Sequence, residues 1–147
     1  MKVAARFNVR LVKRFYEAFA RRDSLAQESL LDPEIEWVEP DVPGLWFSGR
    51  HYGKMQVFDQ VINATTSRID NFRLEMKKFF SVGEHVIAIG MCCGRVMTTD
   101  TDLQAWVAHV WTVRDGKAVR LQAFHDVSRW QQAIDIRRPI LASHAVA

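Results

Sequence analysis

Along residues 7–22 the apolar side chains Phe7, Leu11, Phe15 and Phe19 recur every fourth position with charged residues between them, the stripe of a helix that turns one face to a core. Asp23-Ser24 supplies a capping signal for a second, short helix through Leu31. Asp32-Pro33 then stops it, because the residue before proline avoids the α region. The period next falls to two: IEWVEP, residues 35–40, predicts a short strand. Residues 40–53, PDVPGLWFSGRHYG, hold two prolines, three glycines and a tryptophan and predict a structured loop. A third helix is expected from Lys54 to about Ser67, carried by Met55, Phe58 and Ile62. Four runs rich in β-branched and aromatic residues follow, at Phe72–Val82, Val86–Thr98, Gln104–Arg114 and Ala118–Asp126. The last two meet at Asp115-Gly116, a strong hairpin signal. A short amphipathic helix, Ser128–Ile134, precedes the tail RRPILASHAVA, expected to be loosely held or to dock on a partner subunit. Helices first and antiparallel strands afterwards predict an α+β domain in which a curved antiparallel sheet wraps around three or four helices, a cone with an apolar cavity at its open end. Loop 40–53 would be its lid or rim.

Within a strand, alternation makes some side chains conspicuous. Ile35, Trp37 and Glu39 share one face, so Glu39 stands on the apolar side, where a carboxylate costs several kcal/mol unless it is paired, protonated or used. Val119, Leu121, Ala123 and His125 share a face, which turns His125 inward. His109 shares one with Val107, Trp111 and Val113, but the opposite set Trp106, Ala108, Val110 and Thr112 is just as apolar, so either face could be the inner one. A lone histidine on an apolar face is more often a satisfied core residue than a catalytic one. Two histidines and a carboxylate converging on one cavity are harder to explain that way, since desolvation raises a carboxylate pKa, lowers that of histidine and suits both to proton transfer. His51 is expected at the rim, and Asp126 as the cap of the last helix.

Composition narrows the field. At 147 residues and 48% apolar content the chain is expected to form one domain with a sizeable core. Charges every few positions near the N-terminus, and no apolar run of about 18 residues, exclude a membrane span or leader from the expectation and point to the cytoplasm. The formal charge is +3, with six of twenty basic residues between Arg6 and Arg22; spread around one helix they predict a solvated face rather than nucleic-acid binding. Cys92 and Cys93 read as reduced core residues. Neither HxH nor HxxxH spacing occurs, so no metal is expected at the histidines and no cofactor is implied; no phosphate loop, dinucleotide fingerprint or nucleophile elbow is present.

RFYEAFARRDSLAQESLLDPEIEWVEP, SGRHYG ahead of a helix, and VWTVRDGKAVRLQAFHD together resemble the SnoaL-like and ketosteroid-isomerase-like branch of the nuclear-transport-factor-2-like superfamily, over about residues 7–134. The resemblance implies the cone fold, which hosts isomerases, cyclases, dehydratases, epoxide hydrolases and non-catalytic modules. It also implies a homodimer through the outer sheet face, with which an apolar Trp106, Ala108, Val110 face agrees. In ketosteroid isomerases the base is an acid just before a proline at the end of the first strand, the place of Glu39-Pro40. Their oxyanion donors, a first-helix tyrosine and a hairpin aspartate, fall on Phe15 and on His109, or on Ala108 with another gap, so the usual oxyanion hole is absent. Tyr16, about 100° further around the helix, is not expected to replace the tyrosine. Ala123 at the matching position of the last strand argues against the aspartate, arginine, aspartate relay of limonene epoxide hydrolases. The pair of histidines with an acid in scytalone dehydratases is the nearer chemical analogy, and an aldol cyclase needs chiefly one acid or base and a shaped cavity.

The resulting expectation is an enzyme that transfers a proton on a hydrophobic carbonyl compound: Glu39 as base, His109 donating to the oxyanion or relaying the proton, His125 assisting, and Phe15, Trp37, Trp46, Phe58 and Trp111 shaping the pocket. Its alternative is a non-catalytic ligand-binding or dimerisation module. An apolar pocket of about 300 Å³ or more with Glu39 on its wall would favour the enzyme, and a filled cone the module.

Overall fold

The computed structural model describes residues 2–135; all but the first residue of the expected tail, about 135–147, lies outside the described residues. Helix α1 (Lys2–Ala20) buries Leu11, Val12, Phe15, Tyr16, Ala18 and Phe19 but leaves Phe7 47% exposed. The reason is angular. A strict spacing of four advances about 40° past each full turn, so Phe7 and Phe19 stand about 120° apart and cannot both face the core. The buried stripe follows the 3.6-residue period instead, is two residues wide, and takes Tyr16 inward with Phe15.

Helix α2 (Ser24–Ser29) is capped by Asp23, whose Oδ1 accepts from the Ala26 amide at 3.0 Å. Strand β1 (Leu31–Glu39) begins four residues before Ile35, because Pro33 falls where the pairing register shifts and needs no ladder hydrogen bond there. Gly49–Tyr52, predicted as loop, forms β2 and pairs antiparallel with β1, Glu39 opposite Gly49. The third helix is α3 (Gly53–Gln56), a π-helical turn Val57–Ile62, and α4 (Asn63–Thr66) in one continuous run. Strands β3 (Ile69–Val82), β4 (His85–Val96), β5 (Thr101–Arg114) and β6 (Lys117–His125) follow, and then α5 (Val127–Ile134). Asp115 and Gly116 both take positive φ, 51° and 75°, as the two-residue turn of a twisted hairpin requires.

The six strands form one curved, unclosed sheet in the order β2-β1-β6-β5-β4-β3. Every pairing is antiparallel except one: β1 lies parallel to β6, with Trp37 opposite Leu121. A hairpin cannot produce that pairing, since a parallel neighbour needs a long crossover, here everything between the two strands. Helix α1 packs on β3 and β4, α3 on β1 and α5 on β5, and the aromatic centre is Phe15 against Trp111 at 4.9 Å between ring centroids. On β5 the odd positions Leu103, Ala105, Val107, His109, Trp111 and Val113 are buried while Trp106 is 58% exposed. This settles the face of His109: it points into the cone.

Candidate functional site

Adjacent strands bring the three ionisable side chains together. β6 lies between β1 and β5, with His109 opposite Ala123 and His125 two residues further along the same inner face. Glu39, at the end of β1, accepts a hydrogen bond from the Trp37 indole Nε1 on Oε2 at 2.6 Å and meets His125 Nε2 with Oε1 at 2.8 Å. Trp37 and Glu39 can do this because residues two apart in a strand share a face. The side chains of His125 and Glu39 are 6% and 4% exposed. A carboxylate accepts from both partners, which places a proton on His125 Nε2. The other ring nitrogen, Nδ1, is buried and has no hydrogen-bond partner.

A second chain of hydrogen bonds runs beneath this pair. Trp111 Nε1 donates to the Tyr16 hydroxyl oxygen at 2.8 Å, and that hydroxyl lies 2.7 Å from His109 Nδ1. With its oxygen occupied by the indole, the hydroxyl keeps its own proton satisfied by donating to Nδ1, so His109 carries its proton on Nε2. Burial, and then repulsion from His125 whenever that ring carries a proton on both nitrogens, pull the His109 pKa down to about 3, so it is a neutral imidazole across the physiological range. Burial likewise holds the Tyr16 phenol far above its usual range, outweighing the Trp111 hydrogen bond. Tyr16 is therefore a neutral link between Trp111 and His109.

These groups border an apolar cavity of about 50 Å³, lined by Phe15, Trp37, Phe47, Phe72, Cys92 and Trp130 among others, with Glu39, His109 and His125 on its wall. That is room for about four waters, well under the 300 Å³ expected of a ligand pocket; in this conformation the cone is largely filled by its own aromatic side chains. Burial, and then the charge of Glu39, push the Cys92 thiol well up, so it is a neutral wall residue. Phe15 and Trp37 line the cavity as the sequence suggests. Trp111 does not: it is completely buried one layer below, between Phe15, Trp37 and Tyr16. Trp46 points away to donate to Thr65 Oγ1 at 3.0 Å and to lie under Arg68. Phe58 is half-buried on the π-turn, outside the lining, where Val61, Ile62 and Thr65 of the same helix take its place. Phe47 and Trp130 were legible only as aromatic residues in a loop and a short helix. His51 is not a rim residue but a tether: 4% exposed, it donates from Nε2 to the Phe47 carbonyl at 2.8 Å and meets Gln60 Oε1 with Nδ1 at 2.7 Å. Asp126 caps α5 as expected, through the Arg129 amide.

Among the described residues no group of His, Cys, Asp or Glu is arranged to hold a metal, and none of their helices is long and apolar enough to cross a membrane. An unclosed, curved sheet wrapped around helices, with its polar groups gathered on one internal cavity, defines a protein of the nuclear-transport-factor-2-like, or cystatin-like, fold. Residues 12–121 match the SnoaL-like domain, and the chain belongs to that family. No curated protein matches it. Among solved structures it is similar to TerC co-crystallised with polyporic acid, at 25% identity over 88% of this chain and 98% of that one, with a TM-score of 0.79. It is similar also to an NTF2-like protein from Burkholderia thailandensis, at 26% identity over 87% and 97% of the two chains, with a TM-score of 0.80. A putative polyketide cyclase from Sinorhizobium meliloti, 16% identical over 78% and 93%, shares the fold at a TM-score of 0.64.

Proposed function

We propose that the chain is an enzyme that enolises an uncharged carbonyl compound, with His125 rather than Glu39 as the base. The observation that carries this reading is the pair in which Glu39 binds His125 Nε2 and leaves Nδ1 buried and unpaired beside the cavity. A carboxylate that orients an imidazole and balances the charge it gains is a recurring arrangement for general bases. In the step itself a proton leaves the carbon next to the carbonyl for His125 Nδ1. The C–H electron pair moves into the carbonyl, and the developing oxyanion accepts from His109 Nε2–H. A neutral imidazole suits that donor role because it cannot be diverted into binding a proton of its own. Enolisation is common to isomerisation, aldol cyclisation and dehydration, and the ligand named with TerC, polyporic acid, is consistent with a carbonyl-bearing guest.

A substrate larger than a few atoms requires the wall to part. The segment 40–48 carries Phe47 and is held to the body through the His51–Phe47 hydrogen bond and the Trp46–Thr65 hydrogen bond; opening there would swing Phe47 off the cavity. The test is deuterium uptake next to the carbonyl of a panel of ketones. The wild-type protein should accelerate uptake, His125→Ala should return to the uncatalysed rate and Glu39→Gln should lose a factor of about 10²–10³. Uptake at the uncatalysed rate for the whole panel overturns the reading in favour of a non-catalytic module, which the small cavity favours.

The outer sheet face is the surface for a second copy of the chain. Trp106 and Phe124, 58% and 53% exposed, stand on the outer face with the half-buried Ile87, Ile89, Met91 and Val110 around them. A contiguous apolar patch of this kind on a monomer is normally covered.

A further inference from the structure

Two of the residues that line the cavity, His125 and Trp130, each carry a buried ring nitrogen without a partner among the described residues, Nδ1 and Nε1 respectively. Folded proteins pair nearly all such atoms. We propose that Trp130 is a specificity-determining hydrogen-bond donor to the ligand, and that the cavity takes an uncharged hydroxy-carbonyl compound. This rests on the reading of the cavity as a substrate site.

Asp126 starts α5 immediately after His125, and one turn later the helix sets the Trp130 indole into the cavity wall, 1% exposed. Its ring meets Phe47 at 4.9 Å and stands edge-on to His125 at 5.7 Å and 84°. None of these neighbours offers an oxygen to the indole N–H, and an aromatic face is a weaker acceptor.

The hydrogen-bond chemistry of the wall then selects the guest. His109 Nε2–H and Trp130 Nε1–H are donors; His125 Nδ1 is an acceptor. A ketone oxygen satisfies one donor and leaves the other unpaired. A hydroxyl on the same molecule satisfies that donor by accepting from Trp130, and leaves His125 Nδ1 free for the carbon-bound proton. The cavity wall contains no lysine or arginine, and its one carboxylate, Glu39, repels an anion. Discrimination by a buried donor is strong because the wrong ligand leaves that donor unpaired.

Three compact probes test the inference: acetoin, butanone, which lacks the hydroxyl, and lactate, which is charged. Titrations are followed by the indole N–H resonances, with that of Trp130 assigned from Trp130→Phe. Acetoin should shift the Trp130 resonance and bind about tenfold more tightly than butanone, and lactate should bind no better than butanone. In Trp130→Phe the preference for acetoin should vanish while butanone affinity stays the same. Equal affinities in the wild-type protein, a preference that survives in the variant, or no binding of acetoin would each overturn the proposal. The wild-type comparison stands even where the variant fails to fold. Acetoin preference without deuterium exchange would sink the enolisation reading and leave Trp130 in its role; exchange without preference would do the reverse.

Discussion

Glu39 and His125 lie 86 residues apart in sequence and 2.8 Å apart in the fold, both almost completely buried, and the carboxylate approaches Nε2 alone. That one-sided contact assigns different work to the two residues and makes their variants distinguishable. On the proposed reading His125→Ala removes the base and should abolish ketone deuteration. Glu39→Gln keeps the volume and the Trp37 contact but loses the charge that holds the imidazole, so kcat should fall by about 10²–10³ with KM changed little. Equal loss in KM would mean that Glu39 binds the substrate instead.

Tyr16→Phe should destabilise the protein by about 2–4 kcal/mol, because a single deleted oxygen leaves both Trp111 Nε1 and His109 Nδ1 buried without partners. Chemical denaturation of the variant is the measurement, and a loss under about 0.5 kcal/mol, the scale of an ordinary surface substitution, would contradict the chain of hydrogen bonds.

Stability should fall in acid in a defined window. His109 has its pKa lowered from 6.5 to about 3 in the folded protein, so between these values the unfolded chain binds a proton that the native state refuses. Unfolding is therefore favoured progressively as pH drops from 6.5 toward 3, at up to about 1.4 kcal/mol per unit, and this contribution is fully retained above 6.5. Denaturation curves at several pH values should show a shallower dependence in His109→Gln. Identical slopes would mean that His109 is not the responsible group.

How much of this could be read beforehand varies from residue to residue. Glu39 and His125 were legible because a strand has a period of two and one face of each strand was plainly apolar. His109 was not, because both faces of β5 are apolar, and only the position of the helices under the sheet decides between them. The inward position of Phe7 was misread by taking a four-residue spacing as the axis of a helix whose true period is 3.6. The cavity wall was half legible: strand residues Trp37 and His125 follow alternation, whereas Trp46 and Phe47 sit in a loop with no period, and which of the two turns inward depends on the Thr65 hydroxyl and on the tether at His51. The parallel pairing of β1 with β6 has no local signal at all, since its partners are set by topology.

On the proposed pairing of two copies, Trp106→Asp combined with Phe124→Arg should give a monomer in light scattering while leaving ketone deuteration in place, as both residues stand on the face opposite the cavity. A wild-type protein that is monomeric at micromolar concentration would remove the outer face as a docking surface.

The parallel contact also sets a timetable. β1 leaves the chain's growing end early, but its ladder partner β6 is among the last described segments to emerge, so one edge of the sheet must wait while some eighty residues are added. Until then Glu39 has no histidine and the β1–β2 ribbon presents an open edge to other chains. Refolding should therefore be slow for a chain of this size, and ketone deuteration should return only with its final phase, making the dyad a built-in reporter of completed folding.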